Sequence, residues 1–427
     1  MTRSLADMAR DAIPGAAARP PPLARWVDAI GADVIARSWR ALWVSRLVVW
    51  VSGIAALEIW GKSTRAPAFD PARFTEPFGA VGNVLVAPGA RWDAVWYLAI
   101  ARDGYDVASK AAFFPLYALL VRIGGFVWGS PVVGGILLST ACLFVALVVV
   151  HRLTELDLGD EAARWTVIAI AFSPMALFFS ALYSESLYLA VSAGAVLAAR
   201  RGAWPWAGVL GGFAAATRSA GVLVLVALVM LALWGPGPRA RARDIAWLAL
   251  VPLGLVAFLA GLAAGGRDAF EPFGVQEVWF RHFAGPFGGV WDGAVAAWDG
   301  ARQVVSGSTT HVYFTKAAGD AMAIARQNLA LFAWLPLTAI ALVGALRRLP
   351  LAYAAYVVAA LALPLSYPVG PQPLMSLPRF LLVLFPLWMW FGDWLARHPR
   401  ERWPVLALSA ASLAACSAQF TTWHFVA

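Results

Sequence analysis

"AFFPLYALLVRIGGFVWG", Ala112 to Gly129, is an apolar run of 18 residues interrupted by Arg122 and three glycines. It is about long enough to cross a bilayer, and its reading decides the fold. If it crosses, every later span is inverted. The basic groups that follow, among them His151-Arg152, Arg200-Arg201, Arg347-Arg348, "GPGPRARARD" (Gly235 to Asp244) and "ARHPRERW" (Ala396 to Trp403), are then put outside. If it lies along the membrane surface or dips into it, all of them fall on the cytosolic side, as the bias of Lys and Arg toward cytosolic loops requires. The second reading is adopted.

Working outward, the segment before it, Ala41 to Trp60, is a first span leaving the cytosol. The segments after it give spans near Val132–Val150, Thr166–Ala181, Ser186–Ala199, Trp204–Ala216, Gly221–Trp234 and Ile245–Ala264. Four more follow near Leu329–Leu346, Leu351–Tyr367, Phe380–Leu395 and Val405–Phe420. Counted this way the chain crosses about 11 times. Residues 1–37 read as a cytosolic tail and 38–427 as a single transmembrane domain. Two large external segments belong to that domain, 61–130 and 265–327. In the second, "GGVWDGAVAAWDGARQVV" (Gly288 to Val305) places Val290, Trp291, Ala294, Val295, Trp298, Ala301 and Val305 near one helical face, the pattern of an interfacial helix.

Composition supports the same class. The 427 residues are 61% hydrophobic and 13% charged, with mean hydropathy +0.70, more apolar than a soluble core requires. The formal charge of +9 sits in short clusters between spans, where anionic lipid headgroups are its neighbours, so membrane lipids rather than nucleic acid are the expected partners. Cys142 and Cys416 each lie inside an apolar span and form no disulfide framework. The five histidines show no metal-ligand spacing, and no glycine-rich nucleotide loop occurs, so neither metal nor cofactor is expected. Gly208/Gly212 and Gly261/Gly265 have the spacing of close helix packing.

Charged residues collect at the external ends of the spans. In "RWDAVWYLAIARDGY" (Arg91 to Tyr105), Trp92, Val95, Trp96 and Ala99 follow helical spacing, Gly104 ends the helix, and Asp93 falls in its first turn. There Asp93 either complements the helix dipole or deprotonates a hydroxyl as a general base. In "FSPMALFFSALYSESLYLA" (Phe172 to Ala190), Ser184 and Glu185 either cap and open the next helix or Glu185 is a second acid facing the same pocket. Arg218 in "AAATRSAG" and Arg379 in "LMSLPRFLLVLFP" either snorkel to the headgroups or bind a phosphate, which suits the forked guanidinium.

Taken together, "RWDAVWYLAIARDGY", "AFFPLY", "FSPMALFFSALYSESLYLA" and "AAATRSAG", with "FGVQEVWFR" (Phe273 to Arg281) and "PLMSLPRF" (Pro373 to Phe380) as looser blocks, resemble the PIG-V family, the second mannosyltransferase of GPI-anchor assembly, and its prokaryotic relatives. The resemblance implies a GT-C glycosyltransferase bundle with its active site on the extracytoplasmic side. It implies a polyprenyl-phosphate-linked mannose donor and a lipid or glycan acceptor, with transfer inverting the sugar. It further implies a catalytic acidic residue in the first external loop, which falls on Asp93; Arg91, Trp92, Tyr97, Tyr183, Glu185, Arg218 and Arg379 are the accompanying candidates for binding substrate and donor phosphate. The chain departs from the family where a second acid is expected before Phe113, offering only Asp103 and Asp106. Three Lys against 30 Arg indicate a GC-rich bacterial genome, hence a bacterial membrane and no GPI pathway. Rival readings are a GT-C enzyme using another sugar and a lipid or glycolipid transporter. The transporter would hold Arg218 and Glu185 deep, across a water-filled path.

Overall fold

The computed structural model describes residues 31–64, 66–308, 311–313 and 320–426. The expected tail at 1–37 lies outside the described residues as far as Ile30, and from Ala32 the chain is already helical. In chain order the longer helices are α1 Ala32–Trp60, α2 Ala94–Asp103, α3 Pro115–Trp128, α4 Pro131–Leu158, α5 Asp160–Ala171, α6 Glu185–Arg200, α7 Trp204–Thr217 and α8 Val224–Trp234. They continue with α9 Leu250–Ala264, α10 Gly288–Ser306, α11 Ala321–Phe332, α12 Trp334–Arg348, α13 Leu351–Ser366, α14 Leu377–Leu382, α15 Phe385–Arg397 and α16 Arg402–Thr421. Five segments, Ala32–Trp60, Pro131–Leu158, Ala242–Ala264, Ala321–Arg348 and Arg402–Thr421, are long and apolar enough to cross a membrane, with shorter apolar helices among them. The chain is an all-helical, polytopic membrane protein.

The deciding stretch folds back along the start of the next helix. From Pro115, α3 runs for 14 residues, about 21 Å, antiparallel to the start of α4. Tyr117 Oη is 2.6 Å from Ser139 Oγ, and Gly124 meets Gly134 so closely that a Cβ on Gly134 would lie 2.5 Å from the Gly124 carbonyl carbon. The glycines that interrupt the run are therefore what lets the two backbones pair.

Helix α5 stops short of its expected span. The sequence expectation carried it to Ala181, but it ends at Ala171, because Pro174 three residues on cannot continue a helix and biases Ser173 away from it. The carbonyls this frees are met by the buried Arg46 of α1. Its Nη2 donates to Ala171 O at 3.2 Å and its Nη1 to Ala176 O at 2.6 Å and Ser180 Oγ at 2.8 Å. The irregular segment from Phe172 to Ser184 is thus pinned, and it delivers Tyr183, Ser184 and Glu185 to the start of α6. The span expected over Phe380–Leu395 is likewise divided into α14 and α15, with Pro386 near the N-terminus of α15.

Two ends of the bundle follow from these pairings. Arg200 closes α6 on Asp157 near the end of α4, and both polar side chains bond Tyr353 Oη at 2.9 Å. At that end Arg37 of α1 also donates to Asp160 at 2.6 Å. Glu185 begins α6 about 22 Å away along its axis. The last turn of α16 lies at this second end, where Thr421 O receives Arg91. The chain therefore enters the described structure at one end and leaves it at the other. Of the two glycine pairs, Gly208 and Gly212 face the backbone at Trp247 and Leu250, whereas Gly261 has no atom near its missing Cβ, so that pair does not pack as expected.

Candidate active site

Asp93 occupies the N-cap position of α2 rather than its first turn, and its side chain makes no capping bond. Its carboxylate is instead turned to Arg379, whose Nη1 donates to Asp93 Oδ2 at 2.5 Å. Through Nε the same guanidinium bonds Glu185 Oε1, and Arg218 Nη1 donates to that oxygen at 2.6 Å. Four residues from α2, α6, the α7 end and α14 form one chain of ion pairs: Asp93, Arg379, Glu185, Arg218. Glu185 is fully buried while Asp93 keeps a quarter of its side chain accessible. Arg218 and Arg379 do not snorkel; a buried carboxylate holds both.

Tyrosines build the floor. Tyr183 Oη accepts the Asp93 backbone N–H at 3.0 Å and donates to Arg91 O at 3.1 Å, while its ring lies 4.8 Å beneath the Arg379 guanidinium, a cation–π placement. Tyr97 Oη donates to Ser184 Oγ at 3.0 Å, so Ser184 serves Tyr97 and does not cap α6 with its side chain. Ser139 donates to Tyr183 O at 3.2 Å, setting the site level with the third turn of α4, about 12 Å below that helix's tip.

Two expected binding residues point elsewhere. Trp92 adopts φ 54°, a left-handed conformation that sends the side chains on either side of it in different directions. Arg91 is fully buried, donating through Nε to Thr421 O at 3.1 Å beneath the Trp423 ring at 5.2 Å. Burial, opposed by Glu76 and Asp70, lowers its pKa to about 10. The Trp92 ring packs on Phe69, Trp423 and Phe425. Both residues fasten the α2 loop to the C-terminal end of α16 and do not touch the ion-pair chain. Asp103 and Asp106 stay outside it too. Their carboxyls are held below the usual carboxylate range by hydrogen bonds from Arg102 and Lys110 respectively.

One residue that the sequence reading left unassigned belongs here. Arg281, at the end of "FGVQEVWFR", lies over the Phe380 ring at 5.7 Å, with Arg218 near the same ring at 5.8 Å. Its Nη1 donates to Tyr367 O at 2.9 Å, and no carboxylate among the described residues pairs with it. Burial, with the Arg379 charge adding to it, lowers its pKa to about 10. Trp96 and Trp279 meet edge-on at 5.5 Å beside it. The signal was a single Arg in an aromatic external block; Glu277 stands four residues before it in sequence but does not pair with it. Among the described residues, no group of three or more His, Cys, Asp or Glu side chains comes together as metal ligands would.

Residues 45–235 match the family model described as Mannosyltransferase (PIG-V). That stretch, which holds the first half of the helical bundle, is similar to the PIG-V family. GPI alpha-1,6-mannosyltransferase 2 of Rattus norvegicus is 29% identical over 236 residues, covering 51% of this chain and 45% of the rat protein. The Mus musculus protein of the same name is 30% identical over 176 residues, 38% of this chain and 35% of its own length. GPI mannosyltransferase 2 of Cryptococcus neoformans is 27% identical over 160 residues, 35% of this chain and 38% of its own. The chain thus spans less than half the length of the curated relatives it matches. The PIG-V match contains Asp93, Glu185 and Arg218; Arg281 and Arg379 lie beyond it and reach the site only through the fold.

Proposed function

We propose that this chain is a membrane mannosyltransferase of GT-C type that moves mannose from a polyprenyl-phosphate donor to a hydroxyl of a lipid or glycan acceptor, inverting the anomeric carbon. The observation that carries the reading is the Asp93–Arg379–Glu185–Arg218 chain at one end of an apolar bundle, with Asp93 its most accessible carboxylate. The PIG-V match over residues 45–235 favours mannose over another sugar.

In the reaction the acceptor oxygen attacks C1 of the sugar, its proton passes to Asp93, and the bond from C1 to the phosphate oxygen breaks with its electron pair leaving on polyprenyl phosphate. A carboxylate paired with a guanidinium is a weak base, so the donor phosphate must draw Arg379 from Asp93 before Asp93 is free to accept a proton. The same guanidinium then faces the charge that grows on the leaving phosphate, where fixed donors help most. A transporter reading needs Arg218 and Glu185 to face each other across a path, whereas their direct pair at 2.6 Å closes any such path.

The membrane frame is also a proposal: a single domain over 38–427 with 11 crossings, the ion-pair chain on the extracytoplasmic side, in a bacterial membrane. An odd count agrees with the opposite placement of Arg37 and Thr421. Sidedness rests on Arg200, Arg201, Arg347, Arg348 and Arg397 gathering away from Glu185. Incubating the purified protein with radiolabelled polyprenyl-phosphate-mannose and bacterial lipid extract tests the function. Labelled glycolipid is expected, and its absence with donor intact rejects the reading.

A further inference from the structure

A second feature lies beside the arginines. Helices α10, α12 and α13 enclose an apolar groove of about 490 Å³ lined by Phe287, Val290, Leu335, Leu342, Leu361 and Leu365 among others. It opens among the site-side halves of α12 and α13. Its head adjoins Arg281 through the backbone, since Leu365 is two residues from Tyr367, whose carbonyl holds Arg281 Nη1. The Phe287 N–H is fixed to Ser366 Oγ at 3.1 Å, and an antiparallel bridge joins Arg281 to Val369. An unpaired cation at the head of an apolar trough is the shape of an amphiphile with an anionic head.

We propose that Arg281 seats the phosphodiester of the donor and that the isoprenoid chain attached to it lies in the α10–α12–α13 groove. This rests on the lipid-linked donor reading above. Charge supports it. Arg218, Arg281 and Arg379 against Asp93 and Glu185 leave one excess positive charge, which a phosphodiester with one negative charge neutralises. After transfer Asp93 carries the acceptor's proton and polyprenyl phosphate has gained the second negative charge, so the site stays neutral. Arg379 and Arg218 are already held by carboxylates, which leaves Arg281 as the first cation the phosphate meets.

The experiment measures equilibrium binding of two sugar-free probes, geranyl phosphate and undecaprenyl phosphate, to the full chain in nanodiscs. Arg281→Gln is expected to weaken both about tenfold, the scale of a lost charged hydrogen bond. Ala339→Trp, on an exposed wall of the groove, is expected to weaken undecaprenyl phosphate about tenfold while geranyl phosphate stays within about twofold; retained short-chain binding reports an intact fold. Ala294→Trp on the opposite wall repeats the test. Unchanged affinity in Arg281→Gln, or equal effects on both chain lengths in both groove variants, overturns the proposal. A wild-type protein that binds neither probe overturns the donor reading itself.

Discussion

Glu185 shows how much a single buried side chain decides. Its oxygen Oε1 receives both Arg218 and Arg379 while Oε2 has no partner among the described residues, so it is the anchor that holds two cations out of solvent. Removing one member of a buried ion pair is strongly destabilising because the other charge is left uncompensated, on the order of 3–5 kcal/mol. Glu185→Gln is accordingly expected to lower the thermal midpoint of the purified protein markedly, and an unchanged midpoint would mean the arginines find other partners. At this scale the sequence was readable where position along a span was enough. Asp93, Glu185, Arg218 and Arg379 all fall at one end of their helices, and the fold joins them. It misled where neighbours in sequence were assumed to share a direction. The positive φ at Trp92 turns Arg91 into the bundle and away from Asp93, and nothing in the residue types announces that turn.

At the scale of elements, helix ends carry the function. Pro174 ends α5, Arg46 caps the freed carbonyls, and the resulting irregular segment presents Tyr183 and Glu185. A continuous helix through Ala181, as the hydropathy alone suggested, would carry neither to Asp93. Hydropathy counts apolar residues and is blind to a break that a distant arginine satisfies. Glycine spacing has the same limitation. A Cβ on Gly208 would lie 2.2 Å from Trp247 O, whereas one on Gly261 meets nothing. Gly208→Ala is therefore expected to lower the thermal midpoint, overpacking costing about 1–3 kcal/mol. Gly261→Ala is expected to leave it unchanged or slightly raised, since alanine favours helix by up to about 1 kcal/mol. Equal effects would show that spacing, not contact, governs. Helix α10 was the more legible case. Trp291 and Trp298 are exposed as an interfacial face requires, while Gly293 and Gly300 pack inward against Leu374 and Ala325.

For the whole molecule, the short α3 hairpin decides the parity of the fold. Because α3 pairs with the first turns of α4, the proposed topology gives it no crossing, and the two ends of the described chain fall at opposite ends of the bundle. Reporter fusions after Ala427 and before Met1 are expected to give opposite sidedness, the N-terminal one cytosolic; matching signals would require α3, or another short helix, to cross. The general class was readable from composition and the basic clusters. The convergence of Arg281 and Arg379, on segments almost 100 residues apart and beyond the PIG-V match, was not, since it depends on how α13 and α14 fold back over the site.

The most direct measurement compares Asp93→Asn with the wild type for transfer of labelled mannose and, in the same preparation, for binding of the donor. The account predicts that donor binding stays within a few-fold while transfer falls by about 10²–10⁴, the range for loss of a general base. Near-normal transfer by a folded Asp93→Asn protein would contradict it.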